Sequence, residues 1–387
     1  MNPPVHPTIA IYRSELLPAS ETFIAAQAHA LRRFTPLFTG LRHLHHGLHI
    51  DAEEMLVLTQ GNTPRERLRR RLFLETGFAP RFLHSLHLHR PVLLHAHFAV
   101  DAAAALPIQR DLRVPFVVTL HGYDTTMSDE ALRHTAAGRV YLRRRKQLRA
   151  RASVFLCVSE HIRRQALERG VPESKLRLLP IGVDLNLFAP DPLRSRSRDP
   201  IVLFVGRLVE KKGCAHLIRA MDAVRERHPD ARLLIVGDGP WLDPLRAQAL
   251  DSSTPITFLG TQPPNVVRDL MHRASVLAFP SVVASTGDTE GLPIVLCEAQ
   301  AIGLPIAAFD GPGVAEAIVA NETALLAPSG DDRALADAIS TVLSDPDLAA
   351  RLADAGRKRA EAHFSLAAQT ARLEDLYAEL LAQPTAS

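Results

Sequence analysis

Short apolar runs rich in β-branched residues recur along the first half of the chain, at 8–12, 55–58, 92–95, 116–120, 154–158 and 176–181. Polar or amphipathic segments of helical length separate most of them, and this alternation predicts a parallel sheet covered on both faces. The second half repeats the pattern. Segments 201–205, 232–236, 256–259, 276–279 and 305–308 read as strands, and 216–227, 241–250, 266–272 and 292–301 as helices. Two Rossmann-like domains in series are the expected architecture, an α/β fold throughout. Between them, 188–200 is polar, proline-containing and aperiodic, the signature of a linker. The expected organisation is a first domain over 1–187, the linker 188–200, a second domain over 201–365, and a closing helix over 366–387 that docks back on the first domain.

Length agrees with two domains, because 387 residues exceed what one hydrophobic core usually organises. Hydrophobic residues at 47% and charged residues at 22% exclude a disordered chain. No apolar stretch reaches the length that spans a bilayer, and the start lacks the pattern of a secretion signal, so a cytoplasmic protein is expected. Cys157, Cys214 and Cys297 form no close pair and read as buried filler in a reducing compartment.

The small net charge of +3 conceals an asymmetry: residues 1–190 carry 26 Lys and Arg against 16 Asp and Glu, and the remainder 19 against 26. The basic side chains cluster at 65–71 and 143–151, both able to form helices. Such runs fit either a solvated helix face or the surface of an anionic bilayer. Nucleic acid is not expected as a partner, since no aromatic residues interleave with the arginines as stacking platforms.

In open α/β sheets ligands bind beyond the carboxyl ends of strands, which directs attention to the segments just after them. Strand 201–205 runs into Gly206 and Arg207, with Lys212 at the start of the next helix; a guanidinium fork, a point charge and a close-approaching backbone make a diphosphate clamp in outline. Downstream, Glu290 and Glu298 bracket the Gly291-Leu292-Pro293 turn. That spacing puts Glu290 in a loop and Glu298 two turns inside a helix, as acceptors for sugar and ribose hydroxyls beside a helix N-terminus suited to phosphate. In the first half, His121 stands at the end of a buried strand, followed by Gly122 and Asp124.

With these residues the chain resembles the large family of retaining GT-B glycosyltransferases usually called family 4. Its Glu, seven residues, Glu signature is matched by Glu290 and Glu298, and its Gly-Arg…Lys-Gly loop by Gly206, Arg207, Lys212 and Gly213. The resemblance continues through 234–240, which includes Gly237, and through 258–260, 278–281 and 311–316, so that it covers essentially all of 200–365. It implies two Rossmann-like domains facing a central cleft, with the nucleotide-sugar donor held by the second through Gly206, Arg207, Lys212, Gly237, Glu290, Gly291, Leu292, Pro293 and Glu298. It further implies that Glu290 contacts the donor sugar and Glu298 the ribose, while Arg207 and Lys212 neutralise the leaving diphosphate. The family's His-Gly-x-Asp is matched at His121, Gly122 and Asp124, which directs His121 at the donor sugar and leaves Asp124 as an assisting contact. His121 and Glu290 are thus the candidate catalytic residues.

Ser20-Glu21-Thr22-Phe23 resembles the subset that builds exopolysaccharides of the colanic-acid and amylovoran kind. This makes Ser20 and Glu21 candidate acceptor or donor-sugar contacts; a helix N-cap explains Ser20 equally well. The chain departs from the family pattern at 320–326 and at Leu366, positions that touch turns and packing.

The resemblance implies transfer with retention to a saccharide, expected on a polyprenyl-diphosphate lipid at the inner membrane surface, with no cofactor and no metal. Competing readings are a nucleotide-sugar 2-epimerase on the same scaffold and a non-catalytic membrane-surface scaffold. The histidine-rich strings at 43–49 and 84–89 invite a metal site, but lack a carboxylate or cysteine at matching spacing and read as helix-surface histidines.

Overall fold

The structure is a computed structural model that describes residues 6–18, 20–44, 47–191 and 200–383. His45, His46 and most of the expected linker lie outside the described residues. The chain divides into two compact units, Met1–Gly182 with Leu366–Ser387, and Val183–Ser365.

The first unit is built on an eight-stranded parallel sheet. Its strands are β1 (Thr8–Tyr12), β2 (Glu15–Leu16), β3 (Thr35–His43), β4 (Met55–Thr59), β5 (Leu93–His97), β6 (Phe116–Leu120), β7 (Val154–Cys157) and β8 (Leu176–Leu178). Their order is β2-β3-β1-β5-β6-β7-β8, with β4 also paired to β3. β1, β5, β6 and β7 are buried along almost their whole length because helices cover both faces. The sequence reading missed β3, whose Pro36 and Gly40 read as turn residues. Pro36 sits beside the strand's first residue, and Gly40 is needed where β3 passes the Arg13 carbonyl so closely that a Cβ would collide with it.

The helix Leu366–Ala382 belongs to this unit. Tyr377, fully buried, shares a hydrogen bond of 2.5 Å between its hydroxyl and His95 Nδ1 and meets the Phe34 ring edge-on at 5.5 Å between centroids. The same helix turns Glu374 onto the backbone N–H groups of Arg32 and Arg33, at 2.7 and 2.6 Å.

The second unit carries a six-stranded parallel sheet of β9 (Ile201–Val205), β10 (Arg232–Val236), β11 (Ile256–Gly260), β12 (Val276–Phe279), β13 (Ile306–Phe309) and β14 (Leu325–Ala327), in the order β11-β10-β9-β12-β13-β14. Val202, Phe204, Leu217, Met221, Leu233 and Ile235 form its core with no more than 1% exposure. At roughly 1.5–3 kcal/mol for each fully buried large aliphatic side chain, such a core holds the sheet without disulfides, and the three cysteines are free and buried. The chain winds from β9 outward through β10 and β11, then returns to β12 on the other side of β9. The crevice of this sheet therefore opens beyond the carboxyl ends of β9 and β12. In the first sheet the matching reversal falls between β1 and β5.

Candidate functional site

The loops after β9 and β12 are tied together at that crevice. Lys212 Nζ lies 2.9 Å from Glu290 Oε1, with only 16% and 8% of the two side chains exposed. Lys211 pairs with Asp288 at 3.0 Å. Ser281 Oγ donates to the Lys211 carbonyl at 2.7 Å and lies 3.2 Å from Glu290 Oε1, while Ser285 donates through its N–H and hydroxyl to the Glu210 carboxylate at 2.9 and 2.7 Å. Burial alone would raise the Glu290 carboxyl, but Lys212, then Lys211, and the hydrogen bonds from Lys212 and Ser281 outweigh it and hold the group below the usual carboxylate range. Lys212 also lies over the Phe279 ring, 5.1 Å from its centroid.

Two glycines make this proximity possible. Gly213 has φ +62°, and a Cβ there would collide with the Pro280 carbonyl. Gly237, with φ +136°, passes against the Gly206 carbonyl, which brings the loop after β10 onto the loop after β9. Arg207 is exposed and holds no ion pair among the described residues.

Gly291, Leu292 and Pro293 are buried and lead into the helix Ile294–Ile302. No side chain caps this helix; of its first turn, the Leu296 N–H donates to the Pro293 carbonyl at 3.1 Å, and Ile294 and Val295 stand at the open end. Glu298 lies just over one turn inside the helix and not two, because Pro293 defers the start to Ile294. Glu298 is half-buried, and that enclosure pushes its carboxyl up to about 7.

In the first unit, His121 at the end of β6 meets His97 at the end of β5: His97 Nδ1 and His121 Nε2 lie 2.9 Å apart. The rings of Phe98 and Phe23 stand 4.5 and 5.1 Å from the His121 ring. Burial, then the Arg13 cation and His95, holds the His121 imidazole well below its ordinary range, so it is neutral. Because side chains two apart share a strand face, His95 stacks on His97 with ring centroids 4.4 Å apart. His97 and Phe98 were missed as site residues; the signal was present, as period-two histidines on one buried strand.

Asp124, expected beside the sugar, is fully buried and accepts from the N–H groups of Ala99 at 2.8 Å and Gly122 at 3.0 Å. It orders the turn after β6 and the start of the helix Ala99–Leu112. Glu21 is buried too, and both of its oxygens accept from Arg13, Oε2 at 2.7 Å from Nε. Arg13 in turn pairs with Asp101 and lies over Phe98. Ser20 is exposed, and the N-cap of the helix Thr22–His29 is Glu21, so the capping explanation of Ser20 does not hold.

Of the histidine strings, His84, His87 and His89 are exposed, and His87 pairs with Asp111 at 2.7 Å. Among the described residues no group of three or more His, Cys, Asp or Glu side chains is arranged to hold a metal ion. No helix among them is long and apolar enough to cross a membrane.

Two α/β units, each built on a parallel sheet, define a GT-B fold. A family model described as Glycosyl transferases group 1 matches residues 188–359, and one described as Glycosyltransferase Family 4 matches 24–187. The chain belongs to this glycosyltransferase family. It is similar to WcaL of Escherichia coli strain K12, named for colanic acid biosynthesis, with 29% identity over 70% of this chain and 66% of that protein. It is 33% identical, over 67% of this chain and 69% of the other, to the GDP-mannose-dependent alpha-(1-6)-phosphatidylinositol monomannoside mannosyltransferase of Mycolicibacterium smegmatis. These alignments span about two thirds of the relatives' own length. Among solved structures, Anabaena HepE in complex with UDP and glucose superposes with a TM-score of 0.75 at 19% identity, over 96% of this chain and all of that one.

Proposed function

We propose that this protein transfers a sugar from a nucleotide-sugar donor to a saccharide acceptor in cell-surface polysaccharide synthesis, with retention of anomeric configuration. The observation that carries the reading is the Lys212–Glu290 pair at the mouth of the uncapped helix Ile294–Ile302, a cation for phosphate and a carboxylate for hydroxyls within 2.9 Å of each other. In this mechanism Arg207, Lys212 and the helix N–H groups take up the charge of the departing diphosphate. Glu290 and His121 orient the sugar as positive charge develops on it, and the acceptor hydroxyl enters from the face the diphosphate leaves. No divalent ion is part of the proposed mechanism. UDP- and GDP-sugars are both candidate donors, since HepE was solved with UDP and the mycobacterial relative is named for GDP-mannose. A thermal-shift screen against nucleotide sugars identifies the donor, and proton NMR of the anomeric centre in the product reads the stereochemistry. An inverted product, or full turnover in both Glu290→Ala and Lys212→Ala, overturns the proposal.

The acceptor is proposed to be lipid-linked, with the protein on the inner membrane surface. The M. smegmatis relative is named for a lipid acceptor, and the helix Pro64–Thr76 has the surface for it. Leu68 and Leu72, one turn apart, are 67% and 45% exposed. Arg65, Arg69 and Arg71 stand exposed beside them without ion pairs among the described residues. The second basic run is partly spent within the fold: Arg144 donates to the Leu74 and Ala103 carbonyls and Arg145 pairs with Asp129 at 2.8 Å, while Arg143 meets Glu75 at 3.2 Å at the surface. Pelleting with phosphatidylglycerol vesicles at low salt tests this; no binding there, or equal binding by a Leu68→Ser/Leu72→Ser variant, overturns it.

A further inference from the structure

Lys212 and Glu290, assigned above to the leaving diphosphate and to the donor sugar, are bound to each other, and Lys211 and Asp288 repeat the arrangement one step away. Each lysine of the loop after β9 is matched by one carboxylate of the loop after β12, so these four side chains carry no net charge. A diphosphate that reaches Lys212 meets a carboxylate one hydrogen-bond length from the same ammonium.

That carboxylate treats donor and product differently. In a nucleotide sugar both phosphates are esterified and each carries one negative charge. Transfer breaks the bond from the sugar to the terminal phosphate oxygen, the electron pair stays on that oxygen, and the free nucleoside diphosphate carries about one more negative charge at mildly alkaline pH. Glu290 therefore opposes the product more strongly than the donor. Across a distance of about 6 Å at an effective dielectric near 20, one unit of charge corresponds to roughly a ten- to hundred-fold change in affinity.

We infer that Glu290 is a discrimination and product-release residue, whose charge makes the Lys211–Lys212 loop favour a nucleotide sugar over the nucleoside diphosphate left after transfer. The inference rests on the donor-site reading above. It adds a role that a neutral hydrogen-bonding residue at this position would not fill, because a glutamine retains hydrogen-bonding groups for the sugar but does not repel the product.

The test is calorimetric titration at pH 8 of UDP, GDP and the corresponding nucleotide sugars into wild type, Glu290→Gln, Glu290→Asp and Lys212→Ala. Glu290→Gln is expected to bind the nucleoside diphosphate about ten-fold more tightly than wild type while its affinity for the nucleotide sugar changes less. Glu290→Asp, which keeps the charge, is expected to discriminate like wild type. A measurement on wild type alone covers the case in which Glu290→Gln does not fold: the methyl ester of the nucleoside diphosphate, with the charge of the donor but no sugar, is expected to bind about ten-fold more tightly than the free diphosphate. Loss of binding in Lys212→Ala together with unchanged or weaker diphosphate binding in Glu290→Gln overturns the inference and leaves the donor site standing. So does a wild type that prefers the free diphosphate to its ester. If no nucleoside diphosphate or nucleotide sugar binds wild type, both fall.

Discussion

His97 Nδ1 and His121 Nε2 share a single hydrogen bond of 2.9 Å between imidazoles whose planes lie 19° from parallel. Burial is the largest cause holding both rings well below their ordinary range, with His95, His121 and Arg13 adding to it at His97, and Arg13 and His95 at His121. One proton lies between two neutral rings, so the tautomer of one fixes that of the other. Nitrogen NMR of labelled histidine is expected to show both rings neutral at pH 6.5, where an ordinary imidazole is half-protonated. His97→Leu is expected to lower transfer roughly 10- to 100-fold by freeing the His121 ring, and His97→Asn, which keeps a hydrogen-bonding atom near the Nδ1 position, to recover part of that loss. A ring that titrates near pH 6.5 contradicts the arrangement.

Glu298 supplies a pH dependence of the same origin, burial, with a shift in the opposite direction. Its carboxyl stands at about 7 because the protein encloses it. If ribose hydroxyls donate to it, donor binding favours the ionised form and lowers that value, so binding below pH 7 must release a proton. Nucleotide affinity is then expected to rise as pH increases through 7 and to level off above it. Calorimetry in two buffers of different ionisation enthalpy should detect proton release at pH 6.5 in wild type and none in Glu298→Gln.

Most of the strand pattern was legible because parallel strands buried on both faces must be nearly continuous apolar runs, as at Ile201–Val205 and Phe116–Leu120. β3 was not, because Pro36 stands at the strand's beginning and Gly40 at a close backbone crossing, positions that only the folded chain reveals. Spacing and resemblance singled out Lys212 and Glu290, but their direct pairing was not legible, since it depends on how the loops after β9 and β12 meet. Glu21 and Asp124 illustrate the limit on the other side. A carboxylate in a motif reads the same whether it faces a ligand or, as at Asp124, two backbone N–H groups.

The docking of the helix Leu366–Ala382 predicts a stability effect far along the sequence from the sheet it supports. Tyr377→Phe removes the hydroxyl that meets His95 Nδ1 and leaves a buried ring nitrogen unsatisfied, a cost of about 1–3 kcal/mol. Tyr377→Ala also opens a cavity beside Phe34 and is expected to cost roughly 3–5 kcal/mol. Urea unfolding followed by circular dichroism measures both; equal midpoints for Tyr377→Ala and wild type contradict the packing.

Gly213 carries the last prediction. Its φ of +62° lies in the left-handed region, and a Cβ there would overlap the Pro280 carbonyl. Gly213→Ala therefore combines backbone strain, on the order of 1 kcal/mol or more, with a displacement of the loop after β9 from the start of the loop after β12. Lys212 is the adjacent residue and must keep Glu290 at 2.9 Å, so nucleotide binding is expected to weaken more than ten-fold even at temperatures where the variant remains folded. Gly303→Ala is the matched control, with a φ of +74° but no atom within 4 Å of the added methyl. It incurs the strain without the collision, and is expected to lower the melting temperature while leaving nucleotide affinity within about two-fold of wild type. Equal affinity losses in the two variants would mean that strain, not the separation of the two loops, governs donor binding.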